Sequence, residues 1–263
     1  MMKTLITLAA ATLAANLIAA PTPTAQNAQR RTVTPEQREK MKKAMGDRIE
    51  KPGSQKGKIA FIDTQADVSS TNFEALAVSQ SKQTGYNIVY EKATAGDPVA
   101  LKAASKADVA VIIAADDKSP VLLSAIEDGW AVVNVRKLGA SLKSDDAKAK
   151  FWAGRCQKEV LRALASVAGG FTSQYPNNCV SATKVTDLDL CNVFIPNDSL
   201  QKMRKCLAER NVTPKFVAFY RQACQQGWAP APTNDVQKAI WEKVHQLPTK
   251  PIKIEFDPKT DTK

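Results

Sequence analysis

From Lys58 onward the chain alternates short apolar runs with longer amphipathic stretches. Ile59-Ala60-Phe61-Ile62 runs into Asp63-Thr64, and Tyr86 to Tyr90 forms a second run. Val109-Ala110-Val111-Ile112-Ile113 leads to Asp116-Asp117, and Trp130-Ala131-Val132-Val133-Asn134-Val135 follows Asp128-Gly129. Runs this short, apolar and rich in β-branched residues are the pattern of strands buried on both faces. The stretches between them predict helices over 72–82, 98–106 and 120–127. Strands alternating with helices predict an α/β fold, a small and mainly parallel sheet flanked by helices.

Residues 145–170 read as one long helix stopped by Gly169-Gly170. Beyond it the chain turns to loops, cysteines and helices, predicted over 199–209, 214–225 and 234–245, with an extended segment from Ile252 to Phe256. The organisation expected is an α/β domain over 58–170 and a mostly helical, cysteine-containing part over 171–263. The boundary is soft, and the two parts are able to share one core. Upstream, Thr34-Pro35-Glu36-Gln37 supplies an N-cap, a first-turn proline and a capping-box glutamine. A charged helix is expected from there to about Lys51, where Pro52-Gly53 stops it. Its few apolar residues, Met41, Met45 and Ile49, make one narrow stripe. The Pro/Thr/Gln-rich segment before it reads as a flexible tether, the two together spanning 21–57.

The first residues change the picture. Lys3 precedes an uncharged run from Leu5 to Ala20 that ends in small residues, the layout of a secretory signal. The run is shorter than the roughly 20 residues of a membrane span, and no cysteine follows it to carry a lipid. A signal peptide over 1–20, a secreted or periplasmic protein and no stable membrane insertion are therefore expected. At 44% hydrophobic and 24% charged residues, the chain has the composition of a globular protein that buries a core. The formal net charge is +11. From Arg30 to Lys58 there are ten Lys or Arg against four Asp or Glu, a local +6. In a cytosolic chain this would suggest nucleic acid. After export it points instead to an anionic extracellular macromolecule, or to a solvated helix face. Export also permits disulfides among Cys156, Cys179, Cys191, Cys206 and Cys224. Five cysteines allow up to two bridges and a leftover thiol, with the pairing open.

Four carboxylates are candidate catalysts: Asp63, Asp67, Asp116 and Asp117. Asp63 and Asp116 fall at the carboxyl ends of two predicted parallel strands, the edge where open α/β sheets bind ligands. Two carboxylates brought together share a proton, so that one acts as base on water and the other as acid. Asp63-Thr64 also matches the first two positions of the aspartic-peptidase motif, with Thr64 as a binding residue, but Gln65 stands where that motif has glycine. Aspartates are equally ordinary turn formers. A cysteine nucleophile would need His245, the chain's single histidine, beside Cys206 or Cys224. No Gly-x-Ser-x-Gly elbow, dinucleotide fingerprint or phosphate loop occurs. No cofactor is expected, and with one histidine and no closely spaced cysteine pair no metal is expected. The aromatics Phe216, Phe219, Tyr220, Trp228 and Trp241 suit either a helix core or a sugar platform.

Two resemblances add expectations. Trp130 to Val135, Arg155, Lys158-Glu159, Arg162-Ala163, Gly169-Gly170, Cys179-Val180 and Leu188-Asp189 resemble the archaemetzincin branch of the zinc peptidases. In that family the active-site helix carries two histidines around a glutamate base. Here Lys158 and Arg162 replace the histidines and Glu159 remains, so the resemblance implies a scaffold without zinc chemistry, Glu159 and Arg162 being binding residues at most. Taken whole, the signal, the basic helix, the small α/β domain and the stretch from Cys224 to Asp235 resemble secreted mucin-degrading aspartic-type peptidases of mucus-dwelling gut bacteria. That resemblance implies a hydrolase acting on mucin glycoprotein. The alternative is a non-catalytic module that binds glycan or protein.

Overall fold

The computed structural model describes residues 33–64 and 71–246. The signal segment, the tether, Asp67 and the extended tail lie outside the described residues. Two units are distinguished, one up to Lys42 and the other from Lys43 on. Helix α1 (Pro35–Met45) opens with the expected box, the Thr34 hydroxyl accepting the Gln37 N–H at 3.2 Å and the Gln37 side chain accepting the Thr34 N–H at 3.0 Å. It ends at Met45 rather than Lys51. Gly46 takes a left-handed φ of +78°, and a Cβ there would lie 2.7 Å from the Cβ of Tyr220. Past that glycine, Arg48–Glu50 leaves the helix as strand β1.

The main sheet has five strands: β2 (Ile59–Asp63), β3 (Ile88–Lys92), β4 (Val109–Ala114), β5 (Leu122–Ala125) and β6 (Trp130–Asn134). Their order is β3-β2-β4-β6-β5, with the first four parallel and β5 antiparallel at the edge. All five residues of β2 are buried, as are the first five of β4, so both faces of the central strands are covered. Ile59, Phe61, Val109, Val111, Ile113, Ala131 and Val133 point into the larger core, with α2 (Phe73–Thr84) and α5 (Asp145–Val167). Ala60, Ile62, Ala110, Ile112 and Val132 point the other way, towards Leu101 of α3 (Pro98–Ser105). The fold is the α/β architecture that the apolar runs predict.

Two further predicted helices are partly strand. Leu122–Ala125, read as part of a helix, pairs with β6 in the register Leu122↔Val133. Residues 214–225 split into β7 (Val217–Phe219) and a short helix α7 (Tyr220–Gln225). β7 pairs with β1, Ile49 opposite Ala218, in a separate two-stranded sheet. Both corrections have one physical cause, an open strand edge that offers backbone hydrogen bonds to whichever segment reaches it.

A short helix α4 (Val135–Gly139) follows β6. Helix α5 begins on Ser144, whose hydroxyl caps Ala147 N–H. It ends at Gly169 in a left-handed φ, and Gly170 lies so close to Met203 that a Cβ would approach its Cγ to 2.5 Å. Two 3₁₀ turns (Cys179–Ser181 and Val185–Asp189), helix α6 (Asn197–Glu209) and helix α8 (Asp235–His245) are the remaining elements among the described residues. Cys179, Leu188, Met203 and Leu207 join the same core cluster as Ile59 and Val111.

Candidate functional site

Among the parallel strands the order is second, first, third, fourth, so the topological switch falls between β2 and β4. Ligands of open α/β sheets bind at such a point, beyond the carboxyl ends of the strands. Asp63 closes β2 there, 2% exposed, and its carboxylate accepts the Tyr90 hydroxyl at 2.9 Å. Thr64 donates its N–H at 3.0 Å and its hydroxyl at 2.8 Å to one acceptor, the Ile113 carbonyl. Its side chain therefore ties the ends of β2 and β4 together. Asp116 accepts the N–H groups of Lys118 at 2.8 Å and Ser119 at 2.5 Å. The hydrogen bonds from Ser119, with smaller help from Lys118 and Lys137, hold its carboxyl below the usual range. Asn134 donates to the carbonyls of Asp116 and Ser119, fixing the same turn. Asp117 is exposed and pairs with Arg136 at 3.0 Å. A carboxylate sharing a proton with a neighbour would be shifted upward. Asp116 moves the other way, under turn hydrogen bonds.

The second candidate lies on α5. Glu159 is fully buried, and both of its oxygens accept from Arg162, the shortest contact being 2.6 Å. Burial raises the Glu159 carboxyl above the usual range, with Arg162 pulling it back only in part. The remaining arm of Arg162 donates to the Ala182 carbonyl at 2.8 Å. Lys158 donates to the Leu188 carbonyl at 2.5 Å. One turn earlier, Arg155 grips both oxygens of Asp189 at 2.6 and 2.7 Å. Residues 155, 158 and 162 line one helical face, and that face pins the two 3₁₀ turns to the core. The donors here do not fit zinc. Arginine has no lone pair to offer a metal, the Lys158 head is engaged by the Leu188 carbonyl, Glu159 is engaged by Arg162, and no group of three His, Cys, Asp or Glu among the described residues is placed to hold a metal ion.

The five cysteines form no disulfide with one another, which corrects the bridges expected from export. They sit on α5, the first 3₁₀ turn, the segment after the second, α6 and α7. The Cys179 thiol donates to the Phe194 carbonyl, beyond the second 3₁₀ turn, and the Cys191 thiol to that of Asp187, four residues earlier. Burial pushes the Cys179 thiol up to about 12 and raises Cys191 and Cys224 as well, the opposite of an activated nucleophile. His245 is exposed and stacks on Trp241 with ring centroids 4.2 Å apart.

A basic cleft that the sequence did not reveal lies between the end of α2, α6 and the small sheet. Its volume is about 760 Å³, and its walls include Arg48, Lys82, Arg204 and Lys215, with Glu50 as the one carboxylate. Four cations against one anion leave a formal +3. Gly85 fixes the geometry. Its φ of +79° ends α2, and its carbonyl accepts both the Gln55 side chain at 2.9 Å and the Lys215 N–H at 2.8 Å. That junction holds residues 213–217 against the helix end. Arg48 lies 5.6 Å over the Phe219 ring. Tyr86 is 1% exposed and its hydroxyl has no hydrogen-bond partner among the described residues. Burial pushes that phenol up to about 12, with the Arg204 guanidinium of the cleft wall acting against the shift. The aromatics separate likewise: Tyr220 is fully buried, whereas Phe216 on the cleft wall is 43% exposed.

No protein-family model matches the chain, and no curated protein does. Three solved structures are similar to part of it. The archaemetzincin of Methanopyrus kandleri is 12% identical at a TM-score of 0.44, over 60% of this chain and 98% of that one. A zinc-dependent peptidase from Methanocorpusculum labreanum is 15% identical at 0.41, over 56% of this chain and 100% of its own. The archaemetzincin of Archaeoglobus fulgidus, complexed with malonate, is 18% identical at 0.37, over 55% and 99%. Two of the three carry the name of the branch that the segment from Trp130 to Asp189 resembles. With every TM-score below one half, the likeness does not extend to the chemistry or the ligands of those proteins.

Proposed function

We propose that this chain is an exported binding protein for acidic glycoproteins of the mucin class, and that the basic cleft is its binding site. The observation that carries the reading is the gathering of Arg48, Lys82 and Arg204 from three separate elements, with Lys215 from the loop before β7, around one cleft with a single carboxylate. The volume is that of an ordinary ligand site. The α5 face, by contrast, is committed to holding the fold together, and the turn at Asp116 to its own backbone. Binding through such a cleft is largely electrostatic and is screened by salt. Titrating the mature protein with mucin is expected to give an affinity that falls steadily as salt rises. Lys82→Glu combined with Arg204→Glu is expected to weaken it about tenfold, each reversal costing about 0.7 kcal/mol as a weak attraction becomes a repulsion. An affinity indifferent both to salt and to the double reversal rules this site out.

The position of Asp63 supports a second reading, an aspartic-type hydrolase acting on mucin. Asp63 is the buried carboxylate at the switch between β2 and β4, held by the Tyr90 hydroxyl. Its catalytic partner in this reading is Asp67, four residues further along the chain. Cleavage of mucin that Asp63→Asn abolishes, with the melting temperature unchanged, is the expected result. Cleavage that survives the substitution removes Asp63 from the reaction.

A further inference from the structure

The basic cleft does not end at the small sheet. A second cavity of about 530 Å³ lies beyond Pro214, Lys215 and Phe216, and those three residues line both spaces. Lys51 and Lys56 contribute to its walls, and no carboxylate does. Along the two spaces together, six cations line the walls with Glu50 as the one carboxylate among the described residues, and Lys215 pairs with it at 3.3 Å. The ridge between them is held in place. The Phe216 N–H donates to the Ser54 hydroxyl at 2.9 Å, and the Phe216 carbonyl accepts the Lys51 N–H at 2.7 Å. Trp228 packs against the Phe216 ring edge-to-face, with centroids 5.8 Å apart. Thus a half-exposed aromatic ring is fixed on the crest, with cations on both sides of it.

We propose that the two cavities form one groove that binds an extended anionic glycan, the chain crossing the ridge at Lys215 and Phe216. A small anion would need only one compartment. A chain of acidic sugars meets cations at either end and lays the apolar face of one ring on Phe216, since aromatic rings combine apolar bulk with a face suited to C–H contacts. Non-specific single-strand sites instead stack successive bases on several aromatics, and Phe216 is the one exposed aromatic in this groove. The proposal rests on the cleft reading above and assigns the ligand's length and class.

The test is calorimetric titration of the full mature chain with size-fractionated chondroitin sulfate, from disaccharide to decasaccharide. A single-stranded DNA oligonucleotide of matching charge runs alongside. Affinity is expected to rise with length and then level off. Lys56→Glu and Phe216→Ala are expected to weaken the longest fragments about tenfold and leave the shortest unchanged, whereas Arg204→Glu weakens every length. Lys56 is exposed, so Lys56→Glu keeps the test valid if Phe216→Ala disturbs the fold. Affinity independent of length, or long fragments indifferent to Lys56→Glu, overturns the extended groove while leaving the cleft reading intact. Failure of all fragments to bind, with mucin binding retained and sensitive to Arg204→Glu, rejects the glycan as ligand. Loss of binding to fragments and mucin alike defeats both readings. DNA bound as tightly as the decasaccharide overturns the glycan assignment in favour of an undiscriminating polyanion site.

Discussion

Arg162→Ala is expected to cost about 3–5 kcal/mol of stability at neutral pH, the range for removing one partner of a buried ion pair. The cost is expected to shrink markedly in acid. Glu159 is 1% exposed at its side chain and Arg162 24%, so the alanine leaves a carboxylate in the core with no counter-charge. The Ala182 carbonyl loses its donor as well. The sign of the pH effect follows from Glu159. Burial raises its folded-state carboxyl above the unfolded value, so the folded chain holds that proton more tightly. Its contribution is therefore most favourable below the unfolded value, declines as pH rises to the folded one, and is level beyond. Without Arg162 the folded value climbs further, and the decline is longer and deeper. As the pH falls and Glu159 takes up its proton in both proteins, the difference narrows to the lost hydrogen bonds and packing. Asp116, Asp187 and Asp198 are shifted downward and give the opposite trend, stability lost as pH falls, but they are common to both proteins and cancel in the difference. Urea unfolding of the two proteins at about pH 4 and about pH 8 measures this. An equal cost at both pH values would show that Glu159 is not charged in the fold and that Arg162 matters only through its contacts.

The sheet was legible because its central strands are buried on both faces, and burial on both faces writes itself into the sequence as an unbroken apolar run. Ile59–Ile62 and Val109–Ile113 show this directly. The errors fall where a partner far along the chain decides the structure. Leu122–Ala125 carries apolar residues that suit a helix or a strand, and only the free edge of β6 settles the choice. Arg48–Glu50 and Val217–Phe219 were each read as helix, and they are one error rather than two, since each is the strand that makes the other a strand. The same distinction runs through the sites. Asp63 could be placed at the sheet edge from local pattern alone. The turn at Asp116 could be suspected, because aspartate accepts backbone N–H groups readily. The basic cleft could not be found this way. Arg48, Lys82, Arg204 and Lys215 stand in no sequence relation, and the junction at Gly85 brings them together. Lys158 and Arg162 were legible as residues unable to bind zinc. Their actual work, holding the carbonyls of Leu188 and Ala182, depends on turns whose path the sequence does not disclose.

That work is shared with Arg155, and Arg155→Met is expected to destabilise the protein by a similar amount, about 3–5 kcal/mol. The side chain is 3% exposed and ties α5 to two other segments. It reaches both oxygens of Asp189 on the second 3₁₀ turn, the Leu138 carbonyl at the end of α4 at 3.0 Å, and the Ser141 hydroxyl at 2.8 Å. Its affinity for its proton is raised chiefly by the hydrogen bonds to Asp189. Methionine keeps much of the stem's packing, so the loss reports on the charged head rather than on volume. Asp189→Asn in the same background tests this, because it removes the orphaned charge. The double variant is expected to be more stable than the sum of the single costs predicts, by about 0.5–3 kcal/mol. Strict additivity would mean that Arg155 and Asp189 do not depend on each other. A local readout separates loosening of the turns from global weakening. Cys179 is fully buried on the first of the two turns, so a thiol reagent reaches it only when that region opens. In Arg155→Met, Cys179 is expected to be modified well before Cys224, which is buried on α7. Simultaneous modification of both would place the damage in the whole fold and remove the pinning role from this face of α5.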